Sequence, residues 1–385
     1  MKIAVPKELR DGETRVAMSP DMIKKLVAMG LEVMIETGAG NRAMLLDDLY
    51  RKAGALIGAN ANETYTGADI VLKVCPPIRP DQGPDELAMI KSGALLIGLL
   101  EPLQNTDSVA AYAKAGVTAF AMELLPRISR AQSMDVLSSQ SNLAGYKAVI
   151  EAAAAFGKAF RMMMTAAGTI APAKVLVLGT GVAGLQAIAT ARRLGAIVSA
   201  FDVRLAAKEE AESLGAKFIE VINEKTQGAE TKDGYAKEMS EEYKRKQKEL
   251  IHETLKSQDI VITTALIPGK SAPVLITEEM VKDMNLGSVI VDLAIESGGN
   301  CSITELGKAV FRHGVTLIGH ANMPGHAPVD ASALYARSLV NFITPMIDPE
   351  TKDLAIDWED EIIAGTLITH DGKIVHPTLT NGEGR

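Results

Sequence analysis

The stretch Lys174–Gly195, "KVLVLGTGVAGLQAIATARRLG", constrains the fold more than any other part of the chain. An apolar run of strand length leads directly into Gly179, Gly181 and Gly184, spaced G-x-G-x-x-G, and then into a helix that ends at glycine. In a strand–turn–helix context the first glycine makes the tight turn and the second lets backbone approach a pyrophosphate. The third lets helix and strand pack closely. The helix begins at Val182, and its unpaired N–H groups and dipole favour an anion. The next strand, "AIVSAFD", ends at Asp202, followed by Val203 and Arg204. A carboxylate there accepts hydrogen bonds from the adenosine ribose and repels a 2′-phosphate, so NAD(H) is favoured over NADP(H). Arg204 weakens that preference, because an Arg can accommodate the phosphate.

Ligands of open α/β sheets lie beyond the carboxyl ends of strands, which brings in two further edges, "TTALIPG" (263–269) and "DLAIESGGN" (292–300). Thr264, Ala265 and Leu266 are placed to meet the ribose or adenine through backbone groups. A plain strand end with a Pro-Gly turn is the alternative reading.

The same alternation runs through the rest of the chain. Short apolar runs and helical runs ending in Gly fill the first 125 residues, from "KIAVP" to "VTAFAME". Such spacing implies βαβ units and a parallel sheet. A helix near 139–158 leads into a second series, and from about Phe311 the chain returns to the first domain through a helix near 328–346. A hairpin, "GTLITHDGKIVHP", follows, with Asp371-Gly372 as its turn. The expected fold is α/β: two doubly wound Rossmann-like domains with parallel sheets, separated by a cleft. One comprises 1–138 and 311–385, the other 139–310 and the nucleotide. The polar segment 223–257 reads as a loop near 223–236 followed by helix.

The 385 residues, 47% of them hydrophobic, can bury a large core. A formal charge of −8 with scattered Lys and Arg argues against a nucleic-acid partner. Cys75 and Cys301 are far apart and lack ligand spacing, so neither a disulfide framework nor a metal site is expected. "MKIAVPKELR" lacks the apolar core of a secretory signal, and the longest uncharged run, 175–191, is short and broken by glycines. A cytoplasmic protein without a membrane span is expected. The three consecutive methionines at 162–164 read as core packing. His252, His313, His370 and His376 read as solvated.

One connection is unusually polar. "RISRAQSMDVLSSQSNLAGY", Arg127–Tyr146, contains no His or Cys. Oxidising an alcohol or amine needs a positioned proton carrier, whereas hydride exchange between two nicotinamides needs only two rings in near-attack contact. Orienting a ring carboxamide calls for a donor such as Arg127 and an acceptor such as Asp135, with Ser138 able to act as either. The alternative is an Arg127–Asp135 ion pair, with Ser139, Ser141 and Asn142 capping the next helix.

"MELLPRISRAQSMDVLSSQSNLAGYKAVI", "MMMTAAGTIAPAKVLVLGTGVAGLQAIATARRLGA", "GYAKEM", "ITTALIPGKSAPVLIT" and "GSVIVDLAIESGGNC" closely resemble the NAD(H)-binding component, domain I, of the proton-translocating nicotinamide nucleotide transhydrogenase family. The resemblance covers essentially the whole chain. It implies a homodimeric peripheral subunit that passes hydride from NADH to NADP+, with Si/A-B specificity. NADP(H) would be bound by a partner, domain III, and the transfer coupled to proton translocation by a membrane domain II. The subunit would sit in the cytoplasm, tied to the inner membrane through those partners. Carried over by position, Arg127, Asp135 and Ser138 hold the nicotinamide, and Gln132 reaches toward NADP(H). Gly234 and Tyr235 ride on a loop that closes over NAD(H), and Asp202 takes the adenosine ribose. The chain ends at "TNGEGR", like the version in which domain I is a separate subunit. "HANMPGHAPVDAS" departs from the pattern, so Asn322 and His326 receive no role. Alanine dehydrogenase is similar too and is the alternative, with an Arg and a Lys matching Arg15 and Lys73. It also has a His in the segment matching 94–102, where none stands here, and an Asp at the position of Glu296.

Overall fold

The computed structural model describes residues 1–204, 206–221, 240–267 and 269–380. The chain forms two compact units, Met1–Gln140 with Gly325–Arg385, and Ser141–Pro324.

The first unit is built on an eight-stranded sheet. In spatial order its strands are Lys373–Ile374, Leu367–His370, Thr118–Ala121, Leu95–Gly98, Ile70–Leu72, Lys2–Val5, Glu32–Glu36 and Leu56–Gly58. The six from Thr118–Ala121 onward run parallel, with Ile3 level with both Val33 and Ile70. Ile70–Leu72 and Leu95–Gly98 are buried at every residue, as a parallel sheet covered on both faces requires. The helix Pro328–Ile343 starts on proline and buries Tyr335, Leu339, Phe342 and Ile343; Phe342 meets Phe120 edge to face at 5.6 Å. Leu367–His370 and Lys373–Ile374 form the antiparallel hairpin that Asp371-Gly372 announces, with φ of 47° and 73° at the turn.

The second unit carries seven strands in the order Lys217–Phe218, Ile197–Phe201, Lys174–Leu178, Ile260–Thr263, Val289–Asp292, Val315–Gly319 and Lys308–Arg312. The first six are parallel and the last is antiparallel. Strand order reverses between Lys174–Leu178 and Ile260–Thr263, which makes their carboxyl ends the ligand-binding crevice of such a sheet.

Three sequence expectations shift. The return near Phe311 moves to Gly325, because Val315–Gly319 pairs with Val289–Asp292 and keeps its antiparallel neighbour in the second sheet. The helix expected at 139–158 spans Val136–Ala155, since Asp135 supplies an earlier cap. The methionines do not fill a core. Met163–Thr165 and Gly168–Ile170 form their own two-stranded sheet, with Met162 55% and Met164 81% exposed. The second half of the polar segment is the helix Glu241–Leu255, capped by Ser240, while the loop near 223–236 lies outside the described residues. Among the described residues no helix is long and apolar enough to cross a membrane.

Candidate functional site

The glycines divide their work as the spacing predicts. Gly179 has φ of 95°, and a Cβ there would lie 2.6 Å from Thr264 Oγ1. A Cβ on Gly184 would lie 1.9 Å from the carbonyl oxygen of Gly179, so only glycine lets the helix Val182–Arg193 approach the turn. Gly181, the residue that caps this helix, faces open space, with nothing within 4 Å of a Cβ built on it. The turn thus offers bare backbone and a helix N-terminus on one open face, the surroundings a pyrophosphate requires. Val182 is exposed there.

Asp202 stands at the end of the neighbouring strand and is heavily engaged. Its Oδ2 accepts from Thr180 N at 2.8 Å and Thr180 Oγ1 at 3.0 Å, which ties it to the glycine turn. Arg204 donates to it from its backbone N at 2.9 Å, Nε at 3.1 Å and Nη2 at 3.0 Å. Burial alone would raise this carboxyl, but the Arg204 guanidinium and the backbone donors hold it below the usual carboxylate range. Arg204 therefore serves as the counterion of Asp202, and Val203 packs partly buried behind it.

On the other side of the switch point Thr264 Oγ1 donates to Gly179 O at 2.9 Å, and Leu266 is exposed. Ala265 is held from within the protein. Its N–H donates to Asn300 Oδ1 at 3.0 Å and its carbonyl accepts from Asn300 Nδ2 at 2.8 Å. Asn300 is set in turn by Asp292, fully buried at the end of its strand. Asp292 accepts from Thr263 Oγ1, Ala294 N, Asn300 N and Cys301 N at 2.8–3.0 Å. Burial raises the Asp292 carboxyl above its ordinary value despite these donors. The sequence signal for Asp292 is its position at a strand's carboxyl end, and Asn300 closes the same 292–300 edge.

Arg127, Gln132, Asp135 and Ser138 belong to the first unit. Gln132 lies on the short 3-10 helix Ser129–Met134, which buries Ala131 and Met134. Asn341 donates to Ser133 O at 2.9 Å and Arg130 pairs with Asp360, pinning the segment at both ends. Gln132 and Arg127 are exposed, and Asp135 and Ser138 are half-buried. Asp135 begins the helix Val136–Ala155 by accepting from Ser138 N at 2.9 Å and Ser138 Oγ at 2.5 Å. The cap is thus Asp135 with Ser138, in place of Ser139, Ser141 or Asn142.

Arg15 and Lys73 lie in the interior of the first unit. Glu13 takes Arg15 Nε at 2.8 Å and Nη2 at 2.7 Å, while Gln140 Oε1 takes Nη1 at 3.0 Å. Lys73 Nζ donates to both oxygens of Glu86 at 2.9 Å and lies 3.4 Å from Glu8. Burial would strip its proton, but these carboxylates hold Lys73 charged; burial pushes the Glu8 carboxyl up. Glu296 is exposed and accepts from Asn322 N at 3.2 Å.

The family models for the alanine dehydrogenase/PNT N-terminal and C-terminal domains match residues 4–144 and 148–377. The first part of NAD(P) transhydrogenase subunit alpha from Rhodospirillum rubrum is 58% identical over 384 residues, covering 100% of both chains. The subunit of the same name from Rickettsia prowazekii is 48% identical, covering 98% of this chain and 96% of its own. The crystal structure of transhydrogenase from Sinorhizobium meliloti superposes with a TM-score of 0.86 at 48% identity, covering 97% of this chain and 100% of that one. Alanine dehydrogenase is more distant. The Halomonas elongata protein is 28% identical, covering 100% of this chain and 97% of its own. With both domain models matched and transhydrogenase subunits similar over its full length, the chain belongs to the alanine dehydrogenase/PNT family of NAD-binding oxidoreductases, on its transhydrogenase branch.

Proposed function

We propose that this chain binds NAD(H) and passes hydride directly between its nicotinamide and that of NADP(H) held by a partner subunit. The observation that carries the reading is the open backbone face at Gly181, flanked by the Gly184 packing and the half-buried Asp202. The pyrophosphate rests on that face. Adenosine ribose hydroxyls replace part of the Arg204 bonding at Asp202, whose oxygens are otherwise filled. Arg127, Asp135 and Ser138 orient the nicotinamide carboxamide, with the Asp135 oxygens as acceptors. Gln132, exposed on its short helix, reaches to the partner's nucleotide. Gly234 and Tyr235 cover the bound nucleotide; both lie outside the described residues. No acid or base takes part, which suits a segment without His or Cys. The transfer is Si/A-B specific and coupled to proton translocation through a membrane domain II, to which the cytoplasmic subunit is peripheral.

Mixing the chain with its NADP(H)-binding partner tests this. Hydride transfer from NADH to an NADP+ analogue is the expected result, and alanine-dependent NADH formation without a partner overturns it. Gln132→Asn is expected to slow transfer on the order of 100-fold, as a misplaced ring does, with NADH affinity unchanged.

The subunit works as a homodimer in this proposal. A lone two-stranded hairpin is marginal in water, and the one at Met163–Ile170 leaves Met162, Met163, Met164 and Ile170 exposed. A second copy is the cover we propose for this apolar surface. Met164→Asp is expected to move the protein toward monomer in analytical ultracentrifugation; an unchanged dimer would place the interface elsewhere.

A further inference from the structure

We infer that Asn300, held by Asp292, fixes the Thr264–Leu266 wall of the nucleotide crevice and thereby acts on the nicotinamide half of the dinucleotide and not on the adenosine half. The inference rests on the nucleotide-binding reading above.

Asn300 is fully buried, and its side chain is matched atom by atom to the chain around it. Its carbonyl oxygen accepts from Ala265 N at 3.0 Å, and its amide nitrogen donates to Ala265 O and Pro273 O, each at 2.8 Å. Only a primary amide offers one acceptor and two donors in this arrangement. Aspartate keeps the shape but loses both donors, and alanine loses all three bonds.

Asp292 fixes the amide by bonding the backbone N–H groups of Asn300 and Cys301 at 2.8 and 2.9 Å. Gly299 permits this approach: its φ is 83°, and a Cβ there would lie 2.9 Å from Asp292 Oδ2. The clamp also reaches the glycine turn. Thr264, next to the clamped Ala265, bonds Gly179 O, and Thr263 bonds Asp292.

The Ala265 N–H is taken by Asn300, and its carbonyl is held by the same side chain. What Asn300 determines is the course of the chain from Thr264 to the exposed Leu266. A dinucleotide at a switch point lies across it, one half toward each side. Asp202 ends the strand on one side, and Thr263 ends the strand on the other. With the adenosine ribose at Asp202, the wall held by Asn300 faces the remaining half.

The test compares NADH with 5′-AMP, a ligand that has only the adenosine half. Binding of both to the full chain is measured by calorimetry for the native protein, Asn300→Ala and the isosteric Asn300→Asp, beside the melting temperature of each. Each variant is expected to bind NADH about ten-fold more weakly as the wall loses its fixed course, with AMP affinity unchanged. Equal weakening of both ligands means a general structural role and overturns the inference, as does unchanged NADH affinity. If Asn300→Ala does not fold, Asn300→Asp, equal in size and shape, decides alone. A native chain that binds neither ligand overturns the nucleotide reading itself, an outcome distinct from either.

Discussion

Gly184→Ala is expected to lose both nucleotide affinity and stability, whereas Gly181→Ala loses affinity alone. The two positions are three residues apart in one motif, yet a Cβ meets very different surroundings. On Gly184 it would lie 1.9 Å from the Gly179 carbonyl oxygen, a backbone atom that cannot turn aside as a side chain could. Helix and turn must separate. Overpacking of this kind destabilises by roughly 1–3 kcal/mol and moves the N–H groups that would meet the pyrophosphate, so NADH affinity should fall on the order of 100-fold. On Gly181 the Cβ enters open space, and the melting temperature should not change. If phosphate occupies that space, affinity falls all the same. Calorimetric NADH titration and thermal melts of both variants suffice, and a Gly181→Ala that binds normally would remove the pyrophosphate from this face.

Lys73→Met is the second large effect. Lys73 is fully buried between Glu86 and Glu8. Removing one partner of a buried ion pair leaves uncompensated charge and destabilises by about 3–5 kcal/mol, a fall in melting temperature on the order of 10 °C. The pH dependence has a definite sign. Burial already pushes Glu8 above its ordinary 4.5, and without the ammonium it moves further up. An acid whose pKa is higher folded than unfolded gives stability at low pH, which is lost as pH rises through the folded value. The deficit of the variant should therefore be greatest near pH 8 and shrink toward pH 5. A deficit that grew on acidification would mean that Glu8 and Glu86 are not the charges left exposed.

The sequence makes some of this legible and hides the rest for identifiable reasons. Alternating apolar and helical runs, and the glycine spacing at 179–184, carry their own geometry, so both sheets and the turn could be read directly. Asp371-Gly372 marks its hairpin for the same reason. "VFRHGVTLIG" is different, because an antiparallel hairpin can extend either sheet; only the pairing of Val315–Gly319 with Val289–Asp292 decides. The methionines misled because apolarity signals burial only when something nearby provides cover. Ala265 shows a further limit. Asn300, 35 residues further along the chain, holds its N–H, and such partnership between a strand end and a distant loop has no local signature.

Asp135 has a second employment that couples ligand to scaffold. The carboxylate proposed to receive the ring amide is also the fastening of a twenty-residue helix, a rod about 30 Å long. An amide hydrogen bonded there shares the carboxylate with the Ser138 N–H and hydroxyl. Occupancy should therefore register as a change in deuterium uptake in the opening turn from Val136, at the root of a long rod.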